Sequence, residues 1–131
     1  MTTQLWYQSL IKPTWAPPAW LFGPVWTVLY LIIIVSFGYV VRLFLKKKIS
    51  GLVLLPFVLN VVFNLLFSPI QFSLQNNLLA SVDIILILGT LIWALVAIYP
   101  RAKWVTLVNI PYLLWVSFAT VLQITVTVLN W

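Results

Sequence analysis

Amide and hydroxyl side chains recur at helical spacing within one strongly apolar stretch. The residues of this stripe, which share one helix face, are Asn60, Asn64, Ser68 and Gln71. Phe63 and Phe67 border the stripe. Asn and Gln commonly hydrogen-bond between helices in membranes, whereas polar groups that face a cavity commonly form a ligand site. The spacing supports both interpretations.

A second stripe combines aromatic and small residues. Its members, at helical spacing, are Tyr112, Trp115, Ala119 and Gln123. Trp115 falls near the middle of its apolar segment, where an indole N–H needs a partner. Ala119, one turn later, leaves room beside it. The pattern fits ordinary helix packing or the floor of a flat, aromatic-lined slot, and Trp26 and Tyr30 add an aromatic pair four residues apart.

The residue counts exclude several kinds of chemistry. The chain has no Cys and no His, and Asp83 is its only acid. Thiolate or imidazole metal sites, a Cys nucleophile, a Ser-His-Asp triad and a pair of catalytic carboxylates are therefore excluded. We expect Asp83 to have a structural partner, such as an indole N–H, a hydroxyl or Lys12. No resident metal and no required cofactor are expected.

Composition indicates the environment that positions these stripes. Hydrophobic residues make up 64% of the 131 residues and charged residues 6%, whereas soluble domains carry about 25% charged residues. Four segments are long enough to cross a bilayer as helices, at about 20–45, 52–72, 78–99 and 103–129. The sequence predicts an all-α membrane protein, a bundle of four transmembrane helices forming a single domain over 1–131. Pro111 should kink the last helix.

The first 19 residues precede these helices and are rich in Trp and Pro. Residues 4–20 read QLWYQSLIKPTWAPPAW, and the prolines oppose a long helix. This outer loop fits an aromatic belt at the headgroups or a semi-rigid lid over the bundle.

Basic residues predict the orientation. Six of the seven lie in the connections after the first and third helices, namely Arg42, Lys46, Lys47, Lys48, Arg101 and Lys103. The positive-inside rule places these connections in the cytoplasm and both termini outside. We read the basic charge as a topology signal and expect no nucleic-acid partner.

Several multi-residue blocks resemble one known family. WYQSLIKPTWAPPAWLFGPVWTVLY (6–30), LNVVFNLLFSPIQF (59–72), ASVD (80–83) and PYLLWVSFATVL (111–122) match in order across nearly the whole chain. The sequence resembles the tryptophan-rich sensory protein / translocator protein family, also called the peripheral benzodiazepine receptor family.

The resemblance implies a small helical membrane protein, often a homodimer, that binds protoporphyrin IX or haem in sensing, transport or protection. Together with the stripes it gives the expected ligand-binding residues Tyr7, Trp26, Tyr30, Asn60, Phe63, Asn64, Phe67, Trp115, Phe118 and Ala119, with Asp83 and Pro111 structural. Some bacterial members are reported to degrade porphyrin in light. Trp26 and Trp115 would then be the redox-active neighbours. A structural protein with no ligand is the remaining alternative.

Three departures from the family pattern modify these expectations. Family members have five spans, but only five residues precede Trp6 here, so the first helix is expected to be missing and a second copy to fill its groove. The end of the last helix, QITVTVLNW, has no aromatic residue followed by a basic one, so sterol binding by that pattern is doubtful. Gln123 stands where the family usually has Asn. The expected location is a prokaryotic plasma membrane.

The predicted orientation can be tested by single-cysteine labelling, because the chain has no cysteine of its own. A cysteine at Thr3 should react with a membrane-impermeant maleimide in intact cells. A cysteine at Lys47 should react only after permeabilisation, because the basic connection is cytoplasmic. The reverse pattern would contradict the topology.

Overall fold

The structure, a computed structural model, describes residues 19–68 and 76–130 as helices and short connections. The helices are α1 (Ala19–Leu45), α2 (Gly51–Ser68), α3 (Asn77–Ile98), α4 (Lys103–Val108) and α5 (Ile110–Leu129). Three of them are long and apolar enough to cross a membrane, namely α1 from Gly23, α3 and α5. A shorter apolar helix covers Gly51–Phe67. The prediction of an all-α membrane protein is confirmed. Residues 69–72, which we expected to extend α2, lie outside the described residues.

The sequence predicted a helix over about 103–129 with a kink at Pro111. The structure has two helices there, α4 and α5, separated at Asn109, whose φ of −91° and ψ of 4° leave the helical range. Pro111 lies in the first two positions of α5. A proline ring clashes with the carbonyl four residues earlier and lacks an N–H to donate, so a helix cannot pass through this position undisturbed. The interruption is a single residue, Asn109, two positions before Pro111.

Helix α3 lies between α2 and α5 and packs along both. Helix α1 packs on α2 and on the short α4. Phe37 of α1 meets Phe57 of α2 edge to face, with ring centroids 4.8 Å apart. The core cluster that contains these two rings also contains the fully buried side chains of Val40, Leu91, Ile98 and Val105. The half of the bundle near the basic connections is therefore close-packed.

Asn109, at the break between α4 and α5, is completely buried and ties the break to α1. Its side-chain Nδ2 donates to Ser36 Oγ at 3.0 Å and to the Val105 carbonyl at 2.8 Å. Ser36 is also completely buried and donates to the Ile32 carbonyl. Because an amide in an apolar interior needs such partners, Asn109 fixes where α1 crosses the break.

The connection from α1 to α2 is a tight helix-ending motif. The Lys48 N–H donates to the Leu43 carbonyl and the Lys47 N–H to the Phe44 carbonyl, both at 2.9 Å. Lys47 has φ 59°, a left-handed conformation that costs a side-chain-bearing residue about 1–2 kcal/mol and that glycine usually fills. The motif satisfies the last carbonyls of α1 and turns the chain into α2.

Candidate ligand-binding site

A buried hydrogen-bond network joins three helices around one tyrosine. The Tyr112 hydroxyl of α5 donates to Asn60 Oδ1 at 2.9 Å and accepts from Asn64 Nδ2 at 2.7 Å. Asn60 Nδ2 in turn donates to the Ile87 carbonyl at 2.9 Å and to Thr90 Oγ1 at 3.2 Å on α3. Tyr112 and Asn60 are completely buried. This network, which we call the Tyr112 network, therefore fixes α2, α3 and α5 against one another.

Tyr30 of α1 extends the network toward the surface. Its hydroxyl donates to Asn64 Oδ1 at 3.1 Å, and its side chain is 39% exposed. The Trp26 ring lies 5.5 Å from the ring of Tyr30 and 6.5 Å from that of Tyr112. In Asn60 and in Asn64, both the amide oxygen and the amide nitrogen have protein partners. Of the two interpretations of the amide stripe, the structure shows interhelical hydrogen bonding for these two residues, and contact with a ligand stays a prediction.

A cavity of about 700 Å³, largely open to the surface, lies between the first half of α1 and α5. Its walls are entirely apolar or aromatic and consist of Leu21, Pro24, Val25, Val28 and Leu29 from α1 and Pro111, Leu114, Trp115 and Phe118 from α5. Pockets of roughly 300–1,000 Å³ with mostly apolar walls are typical of small-molecule sites. This cavity is therefore the candidate site in the described part of the chain.

Two of the predicted ligand-binding residues line this cavity. Trp115 and Phe118, whose ring centroids are 5.7 Å apart, form part of its α5 wall. The other predicted residues with described side chains lie outside the wall, in the Tyr112 network or partly buried against the core, namely Trp26, Tyr30, Asn60, Phe63, Asn64, Phe67 and Ala119. Tyr7 lies outside the described residues. A role in ligand binding stays a prediction for all of them.

Sequence reasoning did not identify seven of the nine wall residues as ligand-binding. Five are aliphatic, namely Leu21, Val25, Val28, Leu29 and Leu114, and two are the prolines Pro24 and Pro111. In an apolar helix, an aliphatic residue that lines a cavity has the same sequence signature as one that faces lipid. The two prolines, each on one wall, were the available signal, because a proline in a membrane helix marks a local departure from regular packing.

A second polar cluster joins the beginning of α3 to the end of α5. Ser81 and Thr127 share a hydrogen bond of 2.6 Å between their hydroxyl oxygens. Thr127 also donates to the Asn77 carbonyl at 3.0 Å, and Gln123 Nε2 approaches the same carbonyl at 3.4 Å. Gln123, which the sequence placed on the aromatic stripe, therefore belongs to a contact between helices and is not one of the wall residues of the cavity.

Asp83 is 4% exposed and lies between these two polar clusters along α3. Its Oδ2 atom is buried and has no hydrogen-bond partner among the residues that the structure describes. Lys12, one of the partners considered for it, lies outside those residues. The structural role of Asp83 stays a prediction.

The chemistry available in the cavity is that of apolar burial and stacking. Its described walls present no carboxylate, amine, imidazole or thiol. General acid–base catalysis and ligation of a metal by these walls are therefore excluded. The Trp115 and Phe118 rings can hold a flat aromatic ligand by offset or edge contacts, and the aliphatic opposite wall can cover its other face.

Comparison with known proteins gives consistent matches. The family model described as TspO/MBR family matches residues 1–129. The chain is 37% identical to the tryptophan-rich protein TspO of Archaeoglobus fulgidus over 131 residues, which cover 98% of this chain and 82% of that protein. It is 36% identical to the tryptophan-rich protein TspO of Chlorobaculum tepidum, over 95% of this chain and 78% of that protein. The human translocator protein is 33% identical, over 90% of this chain and 70% of its own length.

The Tyr112 network predicts unequal effects for two tyrosine-to-phenylalanine substitutions. Tyr112→Phe leaves Asn60 Oδ1 and Asn64 Nδ2 without their buried partner and should lower the free energy of unfolding by about 1–3 kcal/mol. Tyr30→Phe, the matched control, removes one longer hydrogen bond from a partly exposed residue. It should lower the free energy of unfolding by less than about 1 kcal/mol. Unfolding in mixed micelles, followed by circular dichroism, measures both. Equal losses would contradict the central role of Tyr112.

Proposed function

This chain belongs to the TspO/MBR family of membrane proteins, and we propose that it binds tetrapyrroles, protoporphyrin IX or haem, in porphyrin sensing, transport or protection. Relatives named tryptophan-rich sensory protein and translocator protein support a sensory or translocator role in the membrane. The more specific statement, which names the ligand, depends on the chemistry of the cavity.

The observation that carries the proposal is the cavity between α1 and α5. It is large, has apolar walls and carries two adjacent aromatic rings on one side. A porphyrin is a flat, mostly apolar aromatic macrocycle, so burial of its faces against such walls is favourable. Polar groups on the rim of the ligand would have to lie outside these apolar walls.

The composition of the walls gives haem no advantage over the metal-free porphyrin ring. Haem iron in proteins is generally held by His, Cys, Met or Tyr, and the nine wall residues include none of these. Stacking and apolar contact are available to both the metal-free ring and haem. We therefore propose that free-base protoporphyrin binds at least as readily as haem.

We propose that this binding takes place in a prokaryotic plasma membrane, with the basic connections on the cytoplasmic side. Lys46, Lys47 and Lys48 are exposed at the end of α1, and Arg101 and Lys103 are exposed between α3 and α5. Because α1 and α3 end at the same side of the bundle, these charges form one basic end. The positive-inside rule supports its cytoplasmic location.

A spectral titration tests the ligand. Purified protein in detergent should shift and sharpen the Soret absorbance of protoporphyrin IX in a saturable way. Trp115→Ala removes one of the two aromatic rings on which the porphyrin would stack. The substitution should weaken the affinity for protoporphyrin IX about tenfold, which corresponds to about 1.4 kcal/mol. Trp93→Ala is the matched control, because Trp93 is 43% exposed on α3 and lies outside the cavity wall.

Two results would contradict the proposal. One is the absence of a saturable spectral change with the wild-type protein. The other is equal binding by the wild type and Trp115→Ala, because the ligand would then lie elsewhere.

We further propose that the protein is a homodimer that associates through α1. Helix association in lipid depends on close packing and is helped by small residues. Gly38 of α1 is exposed, and the space beside its Cα is open. A partner helix can therefore approach α1 closely at this position.

Mass measurement tests the dimer. Native mass spectrometry in a mild detergent should give twice the 15.0 kDa chain mass. Gly38→Ile should lower the dimer fraction, because the larger side chain separates the two helices. Gly89→Ile, at an equally open and exposed glycine of α3, should leave it unchanged. A single monomeric species that still binds porphyrin would contradict the proposal.

A further inference from the structure

An aromatic pair lies at the basic end of the bundle, away from the cavity. Tyr39 of α1 and Trp104 of α4 have ring centroids 5.0 Å apart, tilted by 57°. Trp104 is 42% exposed. Trp and Tyr concentrate at the headgroup level of membranes, where an apolar ring with a polar edge is most stable. The pair therefore marks the level at which α1 and α4 meet the lipid headgroups.

Three cations flank this pair. Arg42 follows Tyr39 by three residues on α1, and Arg101 and Lys103 precede Trp104 by three residues and by one. Lys103 Nζ lies 5.6 Å from the centre of the Tyr99 ring. All three cations are exposed. The fold thus places positive charges from two distant parts of the sequence within three residues of the two paired rings.

These cations have no carboxylate to neutralise them. Asp83 is the only acid of the chain, and it precedes the end of α3 at Ile98 by fifteen residues, or roughly 22 Å at ~1.5 Å per residue. An anion for this cluster must therefore come from outside the chain. Arg is well suited to phosphate, because its planar guanidinium donates two parallel hydrogen bonds.

We propose that Arg42, Arg101 and Lys103, arranged around the Tyr39–Trp104 pair, bind the phosphate headgroup of an anionic phospholipid. Basic clusters between transmembrane helices are suited to such headgroups. The surface next to the pair fits the rest of the lipid. Val35 and Val108, each four residues from the pair toward the interior of the bilayer, are both exposed.

This apolar surface distinguishes a lipid from a soluble phosphate. An acyl chain can lie along Val35 and Val108 while its headgroup stays with the cations, so both parts of one molecule are bound. A soluble anion would contact only the cations, which water and salt screen.

Competition between two lipids tests the proposal. The purified full chain in detergent is mixed with equal amounts of dioleoyl phosphatidylglycerol and dioleoyl phosphatidylcholine, and native mass spectrometry counts the adducts. The wild type should retain the anionic lipid at least fivefold more. Arg101→Gln and Lys103→Gln should each lower this ratio about fivefold, the effect of one basic residue near an anionic headgroup.

Lys47→Gln is the matched control. It removes the same single charge from the same end of the protein, but from the α1–α2 connection, and it should leave the ratio near the wild-type value. An equal fall in all three variants would overturn the proposal, because the lipid would then respond to diffuse charge alone.

Three other results would also overturn it. One is a wild-type ratio near one, and another is displacement of the lipid by millimolar inorganic phosphate. The third concerns Lys103→Arg, which keeps the charge and should keep the preference. Loss of the preference in that variant, with an unchanged circular dichroism spectrum, would show that the charge does not act on the headgroup.

Discussion

A polar group in a lipid-embedded helix has no water to bind, so it is stable only with a hydrogen-bond partner inside the protein, in its own helix or in another. This constraint is most evident at Tyr112, whose hydroxyl both donates and accepts across two helices. Lipid tails are as apolar as leucine, so burial of apolar surface gives little drive for helix association, and close packing and interhelical hydrogen bonds take its place. The hydrogen bonds of the Tyr112 network have fixed geometry and act together with packing to position α2, α3 and α5.

The cavity is a consequence of where α1 is held. Its hydrogen bonds to the rest of the bundle in the described residues are those of Tyr30 to Asn64 and of Asn109 to Ser36. Both fall after the cavity-lining residues of α1 along the chain. The packing of α1 on α2 and α4 leaves an open space between α5 and the residues of α1 that line the cavity. The cavity between α1 and α5 thus lies next to the part of the bundle that these hydrogen bonds hold in place.

The sequence could predict which segments form helices and which residues share a helix face. It could not predict which residues of different helices hydrogen-bond to one another. The apolar runs and basic connections indicated the membrane helices, and the spacing of Asn60 and Asn64 indicated a shared face. Periodicity within one helix carries no information about which residue of another helix completes a hydrogen bond. Asn109 was missed for this reason: it belongs to neither stripe, and its importance arises only from its position opposite Ser36. Pro111 indicated a disturbance of the helix, but where the helix is interrupted depended on Asn109, two residues earlier, leaving the helical conformation.

The purely apolar wall of the cavity also determines the phase from which binding should be measured. Transfer of an apolar ligand from water into the cavity gains the whole hydrophobic free energy. A ligand already dissolved in the bilayer has gained most of that free energy before it reaches the protein. Its remaining preference for the cavity comes from shape and from contact with the Trp115 and Phe118 rings. A dissociation constant referred to the aqueous phase therefore mostly reports partition into the membrane, whereas one expressed as a mole fraction in lipid reports recognition by the protein.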